Sequence, residues 1–164
     1  MKYMQKMRRN RATTTLEMAF VFAPFIYVLL VTVQMGVYYM TQSALDSGVN
    51  QTAAGLRSLF TNATTPPTLP SAADLKAQVV NSAGAMISND ASLAVEIRQL
   101  ASLSAVKVPV TDGVAEYGTS ATNANVGSSL ALRATSTVII FAPGFSAFTT
   151  VESSAIVHRE REAE

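Results

Sequence analysis

The chain has 164 residues, of which 14% are charged, with no cysteine, a single histidine and a formal net charge of +1. This length fits one domain, or a small domain with an appendage. The missing thiols exclude disulfides, thiolate catalysis and cysteine-based metal sites. One histidine, His158 in a charged stretch, excludes a histidine triad and a multi-histidine metal centre. The small net charge hides an asymmetry. Lys2, Lys6, Arg8, Arg9 and Arg11 place +5 on the first eleven residues, whereas from Thr13 onward seven Lys/Arg face eleven Asp/Glu, a balance of −4.

The basic leader runs into the one long apolar segment. Between Glu17 and Asp46 there is no charged residue, and the 21 residues from Leu16 to Gly36 contain MAFVFAPFIYVLLV. As a helix they extend about 30 Å, one hydrocarbon thickness. Their apolar side chains point in every direction, so a buried core helix would need a larger protein around it. The pattern predicts a transmembrane span over about 16–39. Basic residues before a span stay in the cytoplasm, which exports the long C-terminal part. Beside a span the basic cluster reads as a topology signal rather than a nucleic-acid patch. The apolar run exceeds the roughly 7–15 residues of a secretory h-region and lacks small residues at −1 and −3 after it, so the helix is expected to stay attached.

Glu17 stands at the mouth of this run. A carboxylate near hydrocarbon is costly unless it is paired or reaches the interface, which makes it a candidate functional residue. The plainer reading has it reaching headgroup water or complementing the first helical turn. Pro24 and Gly36 are the helix breakers inside the span. Pro24 removes one helical hydrogen bond; as a tolerated membrane proline it needs no mechanical role. Gly36, with small neighbours, marks a potential close helix contact.

Beyond the span the helix is expected to continue. Leu45, Val49, Ala53, Leu56 and Phe60 form one stripe at steps of three and four, and Tyr38 and Tyr39 suit an interfacial belt. TNATTPPTLPSAAD interrupts the helix with three prolines. Ser71 and Asp74 form a capping box for a second helix with the stripe Leu75, Val79, Ala83, Met86 and Ile87, ending at Asn89-Asp90. Strands follow. Leu93, Val95 and Ile97 alternate with Ala94, Glu96 and Arg98. Val106, Val108 and Val110 form an edge strand demoted by Pro109 and closed by Thr111-Asp112-Gly113. After the polar loop GTSATNANVGSS come strands over 130–141 and 150–158.

The fold class is therefore α+β. A long N-terminal helix, transmembrane in its lower half, carries a small globular head of one further helix on an antiparallel sheet, a lollipop outline. The expected boundaries are a leader at 1–12, the helix at 13–60 and the head at 61–164, with a Pro-rich linker at 61–73. No phosphate-binding glycine loop appears. The acidic residues Asp90, Glu96, Asp112 and Glu116 lack the alternation of a calcium loop and read as solvated. No cofactor or metal is implied.

The stretch Ala12-Thr13-Thr14-Thr15-Leu16-Glu17, after a basic leader and before an apolar helix, resembles the processing site of type IV pilins and pseudopilins. In those families a prepilin peptidase cuts before the apolar segment, and a Glu occupies the fifth mature position. Cleavage between Ala12 and Thr13 puts Glu17 there. The family usually has Gly before the cut; Ala12 departs from it but is also small. From Arg8 to about Phe60 the chain is similar to TadE-like minor pseudopilins of the Flp/Tad (type IVc) pilus, with the TadF type a close second.

The resemblance implies a bacterial inner-membrane protein with a cytoplasmic N-terminus and a periplasmic head, possessing no catalytic role. Its partners would be prepilin peptidase, the major pilin, other minor pseudopilins, the assembly platform and the lipid bilayer, with no nucleic acid. It further implies roles in pilus assembly and initiation, surface adhesion and biofilm formation, with Glu17 meeting the new amine at Thr13 of a neighbour. It also implies local extension of the helix at Pro24 in the filament. The alternatives are an unprocessed single-span anchor with an exported binding domain, and a membrane-tethered enzyme, for which no catalytic constellation is present.

Overall fold

The structure, a computed structural model, describes residues 2–62, 68–84, 87, 92–100, 109–117, 129–142, 144 and 149–158, with side chains from Glu17 onward except that of Asn62. Two helices precede four strands: α1 (Lys2–Asn62), α2 (Ala72–Ala83), β1 (Ala94–Gln99), β2 (Val114–Glu116), β3 (Ser129–Thr137) and β4 (Thr150–His158). The strands form one sheet in the order β2-β1-β3-β4. The architecture is α+β: a long apolar helix, a second helix and a sheet.

At 61 residues, α1 is roughly 90 Å long. Its upper half follows the expected stripe, with Leu45, Val49, Ala53 and Leu56 buried and Phe60 half-buried against them. They meet the inner sheet face, made of Val95, Ile97, Leu130, Leu132, Ala134, Val151, Ala155 and Val157. Burial of side chains of this size contributes about 1.5–3 kcal/mol each.

The second helix starts where the capping box placed it. Asp74 N–H donates to Ser71 Oγ at 3.2 Å, and Ser71 Oγ and N–H donate to Asp74 Oδ2 at 2.7 and 3.0 Å. The Ser71 hydroxyl and backbone N–H hold the Asp74 carboxyl below its usual range. Leu75 and Val79 are buried as expected. The end differs. α2 stops at Ala83 because Gly84 adopts φ 75°, and its N–H bonds back to Val80 O, a C-terminal stop that glycine supplies. The expected end at Asn89-Asp90 and the stripe residue Met86 lie outside the described residues, while Ile87 is buried.

Two strands match their expected positions, β1 closely and β4 fully, and two corrections apply. First, β2 pairs parallel to β1, with Glu96 opposite Val114, so the sheet is mixed rather than wholly antiparallel. Leu100 to Gly113, 14 residues, separate the two strands, enough for a parallel crossover. The edge strand follows the Thr111-Asp112-Gly113 turn instead of preceding it. Pro109 and Val110 lie outside any strand, and Val106 and Val108 lie outside the described residues. Second, β3 ends at Thr137, four residues before Phe141.

Glu96 is not solvated; it is 1% exposed. Its cross-strand partner is Arg133, whose Nη1 donates to Glu96 Oε1 at 2.9 Å and whose Nη2 donates to Glu152 Oε1 at 2.7 Å. Arg98 Nε and the Thr111 N–H both reach Glu96 Oε2, at 3.2 and 2.9 Å. A buried ion pair adds little net stability over an apolar pair, but a one-residue slip of β1 on β3 would strand a buried charge, which fixes the register. Asp112, half-exposed, accepts from Lys76 Nζ and from the Val95 N–H. Burial pushes its carboxyl up, yet the Lys76 contact and the backbone donors outweigh that and lower it.

The two helices touch most closely at Gly48, where an added Cβ would sit 2.7 Å from Val79 O and 3.0 Å from Ala83 Cβ. Gly48→Ala is expected to lower thermal stability by about 1–3 kcal/mol through overpacking. Gly55, with nothing within 4 Å, should gain up to about 1 kcal/mol as alanine. Opposite shifts in Tm of the detergent-solubilised chain check the pair.

A second expectation concerns pH. Tyr117 Oη donates to Pro70 O at 2.8 Å, and burial, with the Asp74 charge nearby, raises its pKa from 10.0 to about 12. The folded state keeps this proton after the unfolded chain has lost it, so stability present below pH 10 falls as pH rises from 10 to about 12. Tyr117→Phe should flatten that part of the stability-pH curve.

Candidate functional site

Glu17 is exposed on α1, at the lower edge of its apolar segment. Above it, Met18, Phe20, Val21, Phe22, Phe25, Ile26, Tyr27, Val28, Leu29 and Val33 are all exposed. Among the described residues this is the helix long and apolar enough to cross a membrane. Lipid or other apolar helices are the surroundings that suit so much exposed apolar surface around a helix.

The polar groups inside the segment are provided for. Thr32 Oγ1 donates to Val28 O and Thr41 Oγ1 to Val37 O, each at 2.9 Å, so neither hydroxyl needs water. Pro24 lies within α1, whose helical backbone runs on through Pro24 and Gly36. Without an N–H at Pro24, the Phe20 carbonyl lacks its helical donor. Gly36 is exposed, and an added Cβ there would meet nothing within 4 Å, so it makes no close contact with the head.

Ala12, Thr13 and Leu16 lie on α1, and their side chains fall outside the described residues. Thr13 precedes Glu17 by four residues, about one helical turn. Neighbouring turns of one helix thus hold the carboxylate and the residue whose amine cleavage would release.

Sequence reasoning missed the side chain that fastens the head to this helix. Gln34 is fully buried. Its Nε2 donates to Ile139 O at 3.1 Å, and its Oε1 accepts from the Phe141 N–H at 2.7 Å. The side-chain amide thereby takes the place of a neighbouring strand, which is why β3 gives way before Phe141. An amide inside an otherwise apolar run was the signal available. Higher up, Gln42 Nε2 donates to Glu152 O at 3.0 Å and Arg57 Nη2 donates to Ile156 O. Both carbonyls belong to the edge strand β4, so α1 covers that edge with polar side chains as well as with its apolar stripe.

Gln34→Leu is expected to leave the Ile139 C=O and Phe141 N–H unpaired, at a cost of about 1–3 kcal/mol. A lower Tm in detergent and faster proteolysis between β3 and β4 would show it.

Residues 12–54 match the family model described as TadE-like protein. No curated protein and no solved structure matches the chain. The matched segment begins at Ala12 and runs through Glu17, Gln34 and most of the buried stripe. Over that segment the chain is similar to TadE-like proteins.

Proposed function

We propose that this chain is a minor pseudopilin of a Tad-type (type IVc) pilus. α1 holds the precursor in the bacterial inner membrane, with residues 1–12 in the cytoplasm and the head in the periplasm. Prepilin peptidase cuts between Ala12 and Thr13, and the mature subunit joins the major pilin and other pseudopilins through the assembly platform, serving pilus initiation and, through the pilus, adhesion and biofilm formation. The observation that carries this reading is Glu17, exposed at the foot of a helix that is apolar on all sides and lies inside the TadE-like segment.

The chemistry follows from the surroundings. Cleavage converts the Thr13 amide nitrogen into a free α-amine. In a bundle of parallel apolar helices, the Glu17 carboxylate of one subunit meets the amine of the next, and opposite charges a few ångströms apart in a poorly polarisable medium attract strongly. Either charge alone would be stranded there at a cost of several kcal/mol. The phenyl rings and branched side chains above Glu17 supply the remaining attraction. Pro24, two turns higher, leaves one carbonyl unpaired and is the place where α1 extends when subunits pack.

N-terminal sequencing of the chain from cells separates this from a permanent single-span anchor: mature Thr13 is expected, and an intact Met1 in functioning cells would overturn the proposal. Glu17→Ala should insert in the membrane at the wild-type level while its recovery in sheared pili drops severalfold.

A further inference from the structure

Eighteen residues from Ala134 to Val151 carry no charge, between Arg133 and Glu152. Within them Ile139, Ile140 and Phe141 are 70%, 43% and 52% exposed. Three consecutive large apolar side chains facing outward on a head of this size need a reason. Their position supplies one. The same residues are docked on Gln34 of α1, and an added Cβ at Gly144 would lie 4.0 Å from Tyr27 Oη. Gln34 is 17 residues above Glu17, or about 26 Å along the helix, and Tyr27 is about 15 Å above it. A hydrocarbon layer roughly 30 Å thick that starts at Glu17 therefore encloses this whole contact. The layer is held from moving lower by the Glu17 carboxylate itself and, six residues before it, by Arg11 at the end of the basic leader.

We infer that Ile139–Phe141, just after β3, enter the outer leaflet of the bilayer beside α1, as a second lipid-contacting element of the chain. It rests on α1 crossing a bilayer and does not require processing or pilus assembly.

The hydrogen bonding fits that medium. Backbone groups in hydrocarbon must be satisfied from within the protein. Here the Ile139 C=O and Phe141 N–H pair with the Gln34 amide, and the Val138 N–H donates to Thr149 O at 2.7 Å. The reverse also holds. Gln34, otherwise a bare amide in the span, has its oxygen and one N–H engaged. The head is thus set directly on the membrane, with its sheet rising from the lipid surface.

The chain has no cysteine, so single labels are straightforward. The full chain in phosphatidylcholine–phosphatidylglycerol liposomes carries an environment-sensitive fluorophore at Ile139→Cys, Ile140→Cys, Phe22→Cys in the span, or Ala115→Cys on exposed β2. Doxyl-labelled lipids should quench the Ile139, Ile140 and Phe22 labels severalfold more than the Ala115 label, and aqueous iodide should do the opposite. Iodide access at 139 and 140 equal to that at 115, with Phe22 still quenched by lipid, would overturn the inference while leaving the span intact. Protection from both quenchers would mean that protein covers the loop, and would overturn it too. Loss of lipid quenching at Phe22 as well would place the failure in the membrane reading itself. Agreement between the two loop positions guards against one label disturbing the fold.

Discussion

One helix has to satisfy two solvents. Over Met18–Val33 α1 offers apolar surface in every direction, and over Leu45–Leu56 it offers a single stripe to a sheet and a glycine to a second helix. The change from one regime to the other happens near Gln34, where Ile139 and Phe141 of the head are hydrogen-bonded to the helix. Everything else is arranged around that transition. The inner sheet face is apolar because the stripe is, and α2 lies close enough for backbone contact because Gly48 has no side chain. Among the described residues the buried core of the head is continuous with the stripe of the helix that carries it.

Much of this was legible in the residues because it depends on periodicity and caps. The stripe of α1, the Ser71–Asp74 box, β1 and β4 are local patterns whose physics is contained in a few neighbouring side chains. The failures share a different origin. Gly84 ends α2 by a backbone conformation only glycine adopts cheaply, a less conspicuous signal than the polar pair Asn89-Asp90. The valines before the Thr111-Asp112-Gly113 turn suggested the strand, yet the pairing partner of β1 follows the turn, and pairing is decided by distant chain. Glu96 looked solvated by alternation alone; only the cross-strand Arg133 reveals why it is buried.

The candidate site is a local pattern as well. A carboxylate, a preceding cluster of small residues and an apolar helix stand side by side in sequence, and the TadE-like match covers them. Gln34 was not readable as a docking residue, since its partners lie 105 and 107 positions away. What the sequence does show is the expense: an amide in an apolar run needs an explanation, and the fold supplies it by bending the end of β3 onto the helix.

The way α1 lies along β4 has one more consequence. A nine-residue edge strand left bare would invite a second head to zip onto it. Here the helix closes that side with Gln42 and Arg57, and the opposite border, β2, is only three residues long. Pairing of one head with another along a sheet edge is thereby made unrewarding.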